Sequence, residues 1–596
     1  MALRITLRLR HAPRLVQAAF PVSWLLPSIL VASLVGCPNN NSSGSGPGVP
    51  APALDLADVA AVTPGLLRVH GSAGNGGFGL PVAGGHDVDG DGETDIAFAA
   101  MRASPLSRNN AGEVYLVFGE GLMSGTLDTA VDDARILHVY GSAPLENAGS
   151  EVWIDDVTGD GVADLLIARQ NFTPVADAMR VGAGALSIIS GGSELATLAA
   201  SFTPIDLGSP PMGITILTLV GAERTGRLGI WIRTGDVTGD GIADVLVGAD
   251  QENTAGEADS GAVYLVRGGA HLGVGGVIDL ANFGFTSLAG DLAKITPPPG
   301  SSEYHFGATC QIGDLDGNGR GEVMIAATLN RAGATLASGG GPAHGTGGAP
   351  RGVLYIAWDD NFLGNPWSAG LSFSMDVTPG SSSIIGGGVR NISFGEEILG
   401  GLDFDDDGFA DLFVGDIFGD ATLDQTRRFS GSGHILYRAE SLRNAPAFDL
   451  DTPPMGLQQT TFIGPEVGSI SSDTALQGDF DGDGYSDIAF SSPHGDAAGR
   501  HEAGIIHIAH GQSGRFPERV DLRAGENPNP SEIRITEVYG VKAHDVLCYS
   551  AASGDYDGDG IDDLIVNEML GEGLAPGTND VGNLIVISGT LIRDLP

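Results

Sequence analysis

Apolar positions in this chain come in short runs separated by stretches rich in Gly, Asp and Asn. One recurring set reads "IAFAA", "LLIAR", "VLVGA", "VMIAA", "LFVGD", "IAFSS" and "LIVNE". Runs this short, bounded by turn residues and carrying β-branched and aromatic side chains, predict strands. A second set is led by Gly, as in "GEVYLVFG", "GAVYLVRGG" and "GNLIVISG". A third ends in Gly, as in "ILHVYG", "TFIG" and "ITEVYG". No convincing helical period intervenes. With the strand that leads into each acidic stretch, the pattern predicts units of four short antiparallel strands and an all-β fold.

The acidic stretch is one line written seven times: "DVDGDGETD", "DVTGDGVAD", "DVTGDGIAD", "DLDGNGRGE", "DFDDDGFAD", "DFDGDGYSD" and "DYDGDGIDD". First residues are 69, 80, 78, 89, 76 and 76 positions apart, so almost the whole chain after its leader is one repeat architecture. Seven four-stranded units predict a seven-bladed β-propeller. The seventh unit runs out after "GNLIVISG", while "LLRVHG" at 66–71 matches the fourth strands of units one and six. That N-terminal strand is therefore expected to complete the seventh blade and close the ring, which leaves no sheet edge between the chain ends.

Within each line, oxygen donors recur at positions 1, 3, 5 and 9. They are Asp87, Asp89, Asp91 and Asp95 in the first loop. The second holds Asp156, Thr158, Asp160 and Asp164; the third Asp236, Thr238, Asp240 and Asp244. The fourth has Asp314, Asp316, Asn318 and Glu322. The fifth has Asp403, Asp405, Asp407 and Asp411; the sixth Asp479, Asp481, Asp483 and Asp487. Asp555, Asp557, Asp559 and Asp563 complete the seventh. A lone "DGDG" would read as an acidic turn. Seven copies in which every replacement keeps an oxygen point instead to Ca2+, up to seven ions, because calcium takes six to eight oxygen ligands in flexible geometry. Loops with four carboxylates are expected to bind more tightly than those with three. An EF-hand is excluded. Its position 12 must be an acid, whereas here that position is Phe98, Ile167, Val247, Ile325, Val414, Phe490 and Val566.

The layout resembles the FG-GAP repeat family, the blades of the integrin α-subunit propeller, over residues 65–596. Phe78-Gly79, Phe306-Gly307 and Phe394-Gly395 supply the aromatic-Gly pair, and "VGAD" at 247–250 comes nearest the second signature. The resemblance implies ligand binding on the face opposite the calcium loops. It names no ligand.

The N-terminus changes where such a module would sit. Arg4, Arg8, Arg10 and Arg14 precede the apolar run "VSWLLPSILVASLVG" and then Cys37. "LVGC" resembles a bacterial lipobox, so residues 1–36 are expected to be a lipoprotein signal peptide and Cys37 the lipidated first mature residue. Residues 37–64 read as a Gly/Ser/Pro-rich tether, leaving 65–596 for the propeller. The membrane partner is then lipid at Cys37, and outer membrane or cell surface is the expected location. Cys310 and Cys548 alone remain in the body, either as one disulfide or as two buried thiols.

Composition fits this picture. A formal charge of −44 excludes a nucleic-acid partner, while 42% hydrophobic content and 93 Gly fit many short strands and tight turns. No "HExxH", "GxSxG" or "CxxC" is present, and the 13 His are scattered, so no catalytic residues are assigned. The expected function is a binding or adhesion module for protein or glycan ligands. A structural envelope component is the alternative, and a hydrolase using a propeller pocket ranks below both. The insertion at 330–350 is expected to be a tolerated loop.

Overall fold

The computed structural model describes residues 52–59, 63–72, 77–119, 124–254, 256–328, 334–337, 341–344, 352–362, 371–375, 381–387, 393–419, 427–445, 447–523, 527, 530–574 and 580–595. All belong to one compact unit, Gly46–Pro596. The leader, Cys37 and most of the tether lie outside these residues. The 330–350 insertion is described only at Ala334–Ala337 and Gly341–His344, which pair as an antiparallel hairpin.

Seven sheets make up the body, one for each repeat. In the first, Phe78–His86, Asp95–Ala100, Glu113–Val117 and Ile136–Tyr140 lie in that order, each antiparallel to the next. The second strands, Asp95–Ala100 through Asp563–Glu568, are buried at every position in all seven blades. That is why the sequence shows continuous apolar runs rather than alternation: neighbouring blades cover both faces of the strand. Fourth strands such as Ile136–Tyr140 and Ile535–Tyr539 return to partial alternation as solvent nears. First strands of consecutive blades touch all the way round, including the first against the seventh, so the sheets form a ring.

Each blade has five strands rather than the four expected. The fifth is short, parallel to the fourth, and contributed by the following unit from between that unit's own third and fourth strands. Ile205–Asp206 of the second unit pairs with Ile136–Tyr140 of the first; Arg519–Asp521 of the sixth pairs with Gln459–Ile463 of the fifth. At the ends of the chain the same rule holds. Leu66–His70 pairs antiparallel with Asn583–Ile587 as the fourth strand of the seventh sheet, and Ala53–Asp55 pairs parallel with Ile535–Tyr539 as the fifth strand of the sixth.

A repeated ion pair fastens these added strands. Arg108, in the connection between strands two and three of its blade, donates to both carboxylate oxygens of Asp206 at 2.6 and 2.7 Å and to the Gly141 carbonyl at 2.7 Å. Arg180 does the same to Asp279 and Gly221, Arg427 to Asp521 and Gly464, and Arg500 to Asp55 and Gly540. Bidentate pairs of this kind fix geometry as well as charge.

Among the described residues two short α-helices also differ from the strand-only expectation. Ser193–Ala200 buries Leu195 and Ala199, one turn apart, and packs on Ile136–Tyr140; Gly589–Arg593 closes the chain. Among the described residues no helix is long and apolar enough to cross a membrane. Cys310 and Cys548 are buried and unpaired, and burial pushes the Cys310 thiol up to about 12.

The blades meet along seams that require Gly. Gly261, leading the third strand of blade three, has φ +88° and forms a parallel bridge with Phe306, where blade four begins. A Cβ on Gly261 would lie 2.1 Å from the Phe306 carbonyl oxygen, and one on Gly307 would lie 2.6 Å from a Val263 methyl. The Gly-led strands and the Phe-Gly pairs are thus two sides of one contact. Gly261→Ala should lower unfolding free energy by at least about 2 kcal/mol in a denaturant titration, since backbone on both sides must separate. A loss under about 0.5 kcal/mol would mean the seam is not close-packed.

Candidate functional site

The seven acidic lines form the turns between the first and second strands of their blades, and they fold alike. The residue at position 1 accepts the N–H of the position-6 Gly at 2.7 to 3.0 Å in every loop. Position 5 accepts the N–H of position 7 at 2.9 to 3.2 Å. These bonds curl the chain so that the position-6 Gly sits at positive φ, between 82° and 96°.

Position 9 opens the second strand and is fully buried in every blade. One oxygen accepts from the N–H of position 2, as from Val88 to Asp95 at 2.7 Å and Tyr556 to Asp563 at 2.8 Å. The other accepts from the residue just past the third strand: Gly119 to Asp95, Gly191 to Asp164, Gly268 to Asp244, Gly511 to Asp487 and Gly589 to Asp563. Arg438 serves Asp411 in this way, and the Asp359 N–H serves Glu322 at 3.4 Å. The sequence alone did not reveal this second bond, because its donor lies on another strand.

In loops one, four and five, one oxygen each from positions 1, 3 and 9 lies within 4.8 Å of the other two: Asp87, Asp89 and Asp95; Asp314, Asp316 and Glu322; Asp403, Asp405 and Asp411. Loops two and three turn the hydroxyls of Thr158 and Thr238 toward Asp156 and Asp236, at 3.4 and 3.3 Å. At position 3, the Oδ1 atoms of Asp316, Asp405 and Asp557 are buried and accept no hydrogen bond. A buried carboxylate oxygen without a donor is costly unless a cation meets it. The donor set, carboxylate oxygens with Thr and Asn, fits a hard cation such as calcium. In the protein alone, burial pushes the position-9 acids up, to about 7 for Asp95, Asp244, Asp411 and Asp563 and to about 8 for Glu322.

Carboxylate count does not rank the loops as the sequence suggests. Arg443 reaches Asp316 in loop four at 2.9 Å. Arg515 pairs with Asp405 and Asp407, and Arg438 with Asp407, in loop five. In loop six, Arg534 pairs with Asp481, and His510 Nδ1 lies 3.1 Å from Asp481 and 3.3 Å from Asp487. Among the described residues no Arg, Lys or His pairs with the carboxylates of loops one, two, three or seven. Within the described residues those four present their charge without a counter-ion. In loop seven the hydroxyl of Thr590 donates to Asp559 at 2.6 Å.

A separate charged cluster lies among the innermost strands. Arg233 bonds Glu151 at 2.9 Å while its guanidinium stacks over Trp153 and Trp231 at 4.4 and 4.5 Å. Glu397, also buried, is pushed up to about 7 chiefly by burial, with Arg233 drawing it partly back.

The comparisons with known proteins place these loops. Residues 78–117, 228–266 and 474–508 match the FG-GAP repeat, each spanning strand one, the acidic loop and strands two and three of a blade. Three of the seven blades carry a segment that matches the FG-GAP repeat. Integrin alpha-PS2 of Drosophila melanogaster is 29% identical over 206 residues, which is 34% of this chain and 12% of that protein. Solved structures aligned to this chain include the rhamnogalacturonan lyases YesW and YesX, at TM-scores of 0.26 and 0.28 and identities of 11% and 12%. Those alignments cover 88% and 90% of this chain and 91% of each lyase. The V. cholerae biofilm matrix protein Bap1 aligns at TM-score 0.22 and 9% identity over 90% of both chains. At these scores the overlaps carry nothing about activity.

The cluster near the ring axis sets a pH dependence. Glu397 titrates near 4.5 when unfolded and near 7 when folded, so folding takes up a proton between those values. Its burial therefore costs nothing below about pH 4.5, costs more as pH rises, and costs most above 7. Glu397→Gln should leave stability nearly unchanged near pH 4.5 and raise it at pH 8 by about 3 kcal/mol. Melting curves at both pH values check this; an equal shift at the two would contradict it.

Proposed function

We propose that the chain is a calcium-stabilised propeller, lipid-anchored at Cys37 on an extracytoplasmic surface, that binds protein or glycan ligands on the face opposite its acidic loops. The donorless position-3 oxygens beside fully buried position-9 acids carry the calcium half of this reading. Up to seven ions are held by positions 1, 3 and 9, with position 5 and backbone carbonyls completing each sphere. Seven divalent ions would reduce the formal charge of −44 to about −30. Ions bound only by the folded state stabilise it in proportion to RT ln(1 + [L]/Kd).

The FG-GAP repeats and the integrin relative support the binding half, because the loops stiffen one face and leave the connections of the other free to vary. Residues 1–36 act as the signal peptide and the residues from Cys37 up to the strand Ala53–Asp55 as a tether shorter than the 37–64 expected, and the anchor holds the module at the outer membrane or cell surface. A purely structural role in the envelope is the competing reading.

Three measurements test the proposal. Chelator should lower the melting temperature of the purified protein and calcium should restore it, by a shift far larger than magnesium gives; no shift would remove the calcium reading. Cys37→Ala should move the protein from membrane to soluble fractions, and continued membrane association would overturn the anchor. A glycan and protein array in calcium should give hits that are lost on altering connections between strands two and three. Complete silence would favour the structural role.

A further inference from the structure

On the face opposite the acidic loops, the connection between strands two and three of blade six meets the connection leading into blade seven. Glu502 Oε2 lies 3.1 Å from His544 Nδ1, and the rings of His501 and His544 are 5.2 Å apart. One ligand atom each from His501, Glu502 and His544 lies within 4.8 Å of the other two. We propose that these three residues form a binding site for a zinc-class divalent metal, separate from the acidic loops and different from them in chemistry.

The donor set decides the class. Two imidazoles and one carboxylate suit zinc and its neighbours, whereas calcium takes oxygen alone. Asp496 holds His501 Nδ1 at 2.7 Å, the outer carboxylate contact that fixes a ligating imidazole and leaves Nε2 for a metal. A further nitrogen faces the cluster. His494 Nδ1 is buried, has no hydrogen-bond partner, and lies 3.8 Å from Glu502 Oε1, while its Nε2 is 2.7 Å from the Tyr549 hydroxyl. His494 is thus placed to be the fourth ligand. His501 and His544 are both 62% exposed, so the site can fill from solvent.

The ring itself does not ask for these side chains, and the other blades demonstrate it. In blade six the backbone N–H of His544 donates to the His501 carbonyl at 2.9 Å, and that of Val546 to the Glu502 carbonyl at 3.3 Å. The same pair of bonds recurs in blades one, two, three and five. In blade one the matching positions hold Asn109, Asn110 and Leu145, and blades two, three and five likewise lack His there. The fold brings three positions together in each case. Among these blades only the sixth fills them with two imidazoles and an acid, with a third imidazole behind.

The test is a zinc chloride titration of the full-length protein by calorimetry, in a calcium-containing buffer so that the acidic loops are not limiting. The expected result is one zinc per chain, with affinity reduced about 30-fold or more in the double variant His501→Ala/His544→Ala. His494→Ala should weaken binding while retaining the one-to-one ratio. The double variant should melt in calcium at the wild-type temperature, since both side chains are largely exposed. Cobalt(II) offers a second readout, through a visible absorption band of tetrahedral intensity that the double variant loses. Absence of zinc uptake by the wild type would overturn the site. So would uptake that the double variant leaves unchanged, which would place the metal on other histidines.

Discussion

Each blade is organised around a carboxylate that has been removed from water. The position-9 acid begins strand two, accepts from the loop at position 2, and accepts again from the end of strand three. One side chain therefore joins the turn and two strands. A buried carboxylate is stable only when paired and hydrogen-bonded. The two backbone donors meet part of that demand, and position 3 adds a second acid in five loops and a Thr hydroxyl in the other two, never a base. The remaining demand is for positive charge, and it shapes the rest of the loop: glycines that let the turn tighten and side chains that end in oxygen. In loops four to six, arginine or histidine answers part of it from within the protein.

From this follows a division of labour between the two faces of the ring. Connections beside the acidic loops are bonded to them, as Gly191 and Gly511 are, and have little freedom. On the other face the repeated elements are paired backbone N–H to carbonyl bonds, a close Gly seam and one side-chain pair, the Arg–Asp clamp. Side chains there, apart from the clamp pair, can change without disturbing the ring. Blade six departs most clearly from its neighbours on that face, with three imidazoles around Glu502.

Much of this was legible in the sequence, and what was not has a physical reason. The seven turns and the four main strands could be read because the buried second strand and the acidic loop each write a local pattern. The fifth strand was missed because it has only two to four residues and pairs with the preceding repeat rather than its own. A signal for it existed: an apolar residue, Asp and Leu recur at Ile205-Asp206-Leu207, Ile278-Asp279-Leu280, Phe448-Asp449-Leu450 and Val520-Asp521-Leu522. Each of the aspartates at 206, 279 and 521 is a clamp partner. The cations of loops four and five could not be read, since Arg443 is 127 residues from Asp316 and Arg515 is 110 from Asp405. His510, one of the scattered histidines, stands beside the acids of loop six from beyond the end of strand three, outside the loop's own local pattern. The helix Ser193–Ala200 was hidden by brevity, with only two buried positions to mark its period.

The most direct test of the cation requirement is to see the ions. Crystals grown in calcium, measured where calcium scatters anomalously, should give difference peaks enclosed by positions 1, 3 and 9. Loops one and seven should be the clearest, because each has four carboxylates and, among the described residues, no cation paired with them. Anomalous maps without a peak in either of those loops would contradict the reading of the seven turns as calcium sites.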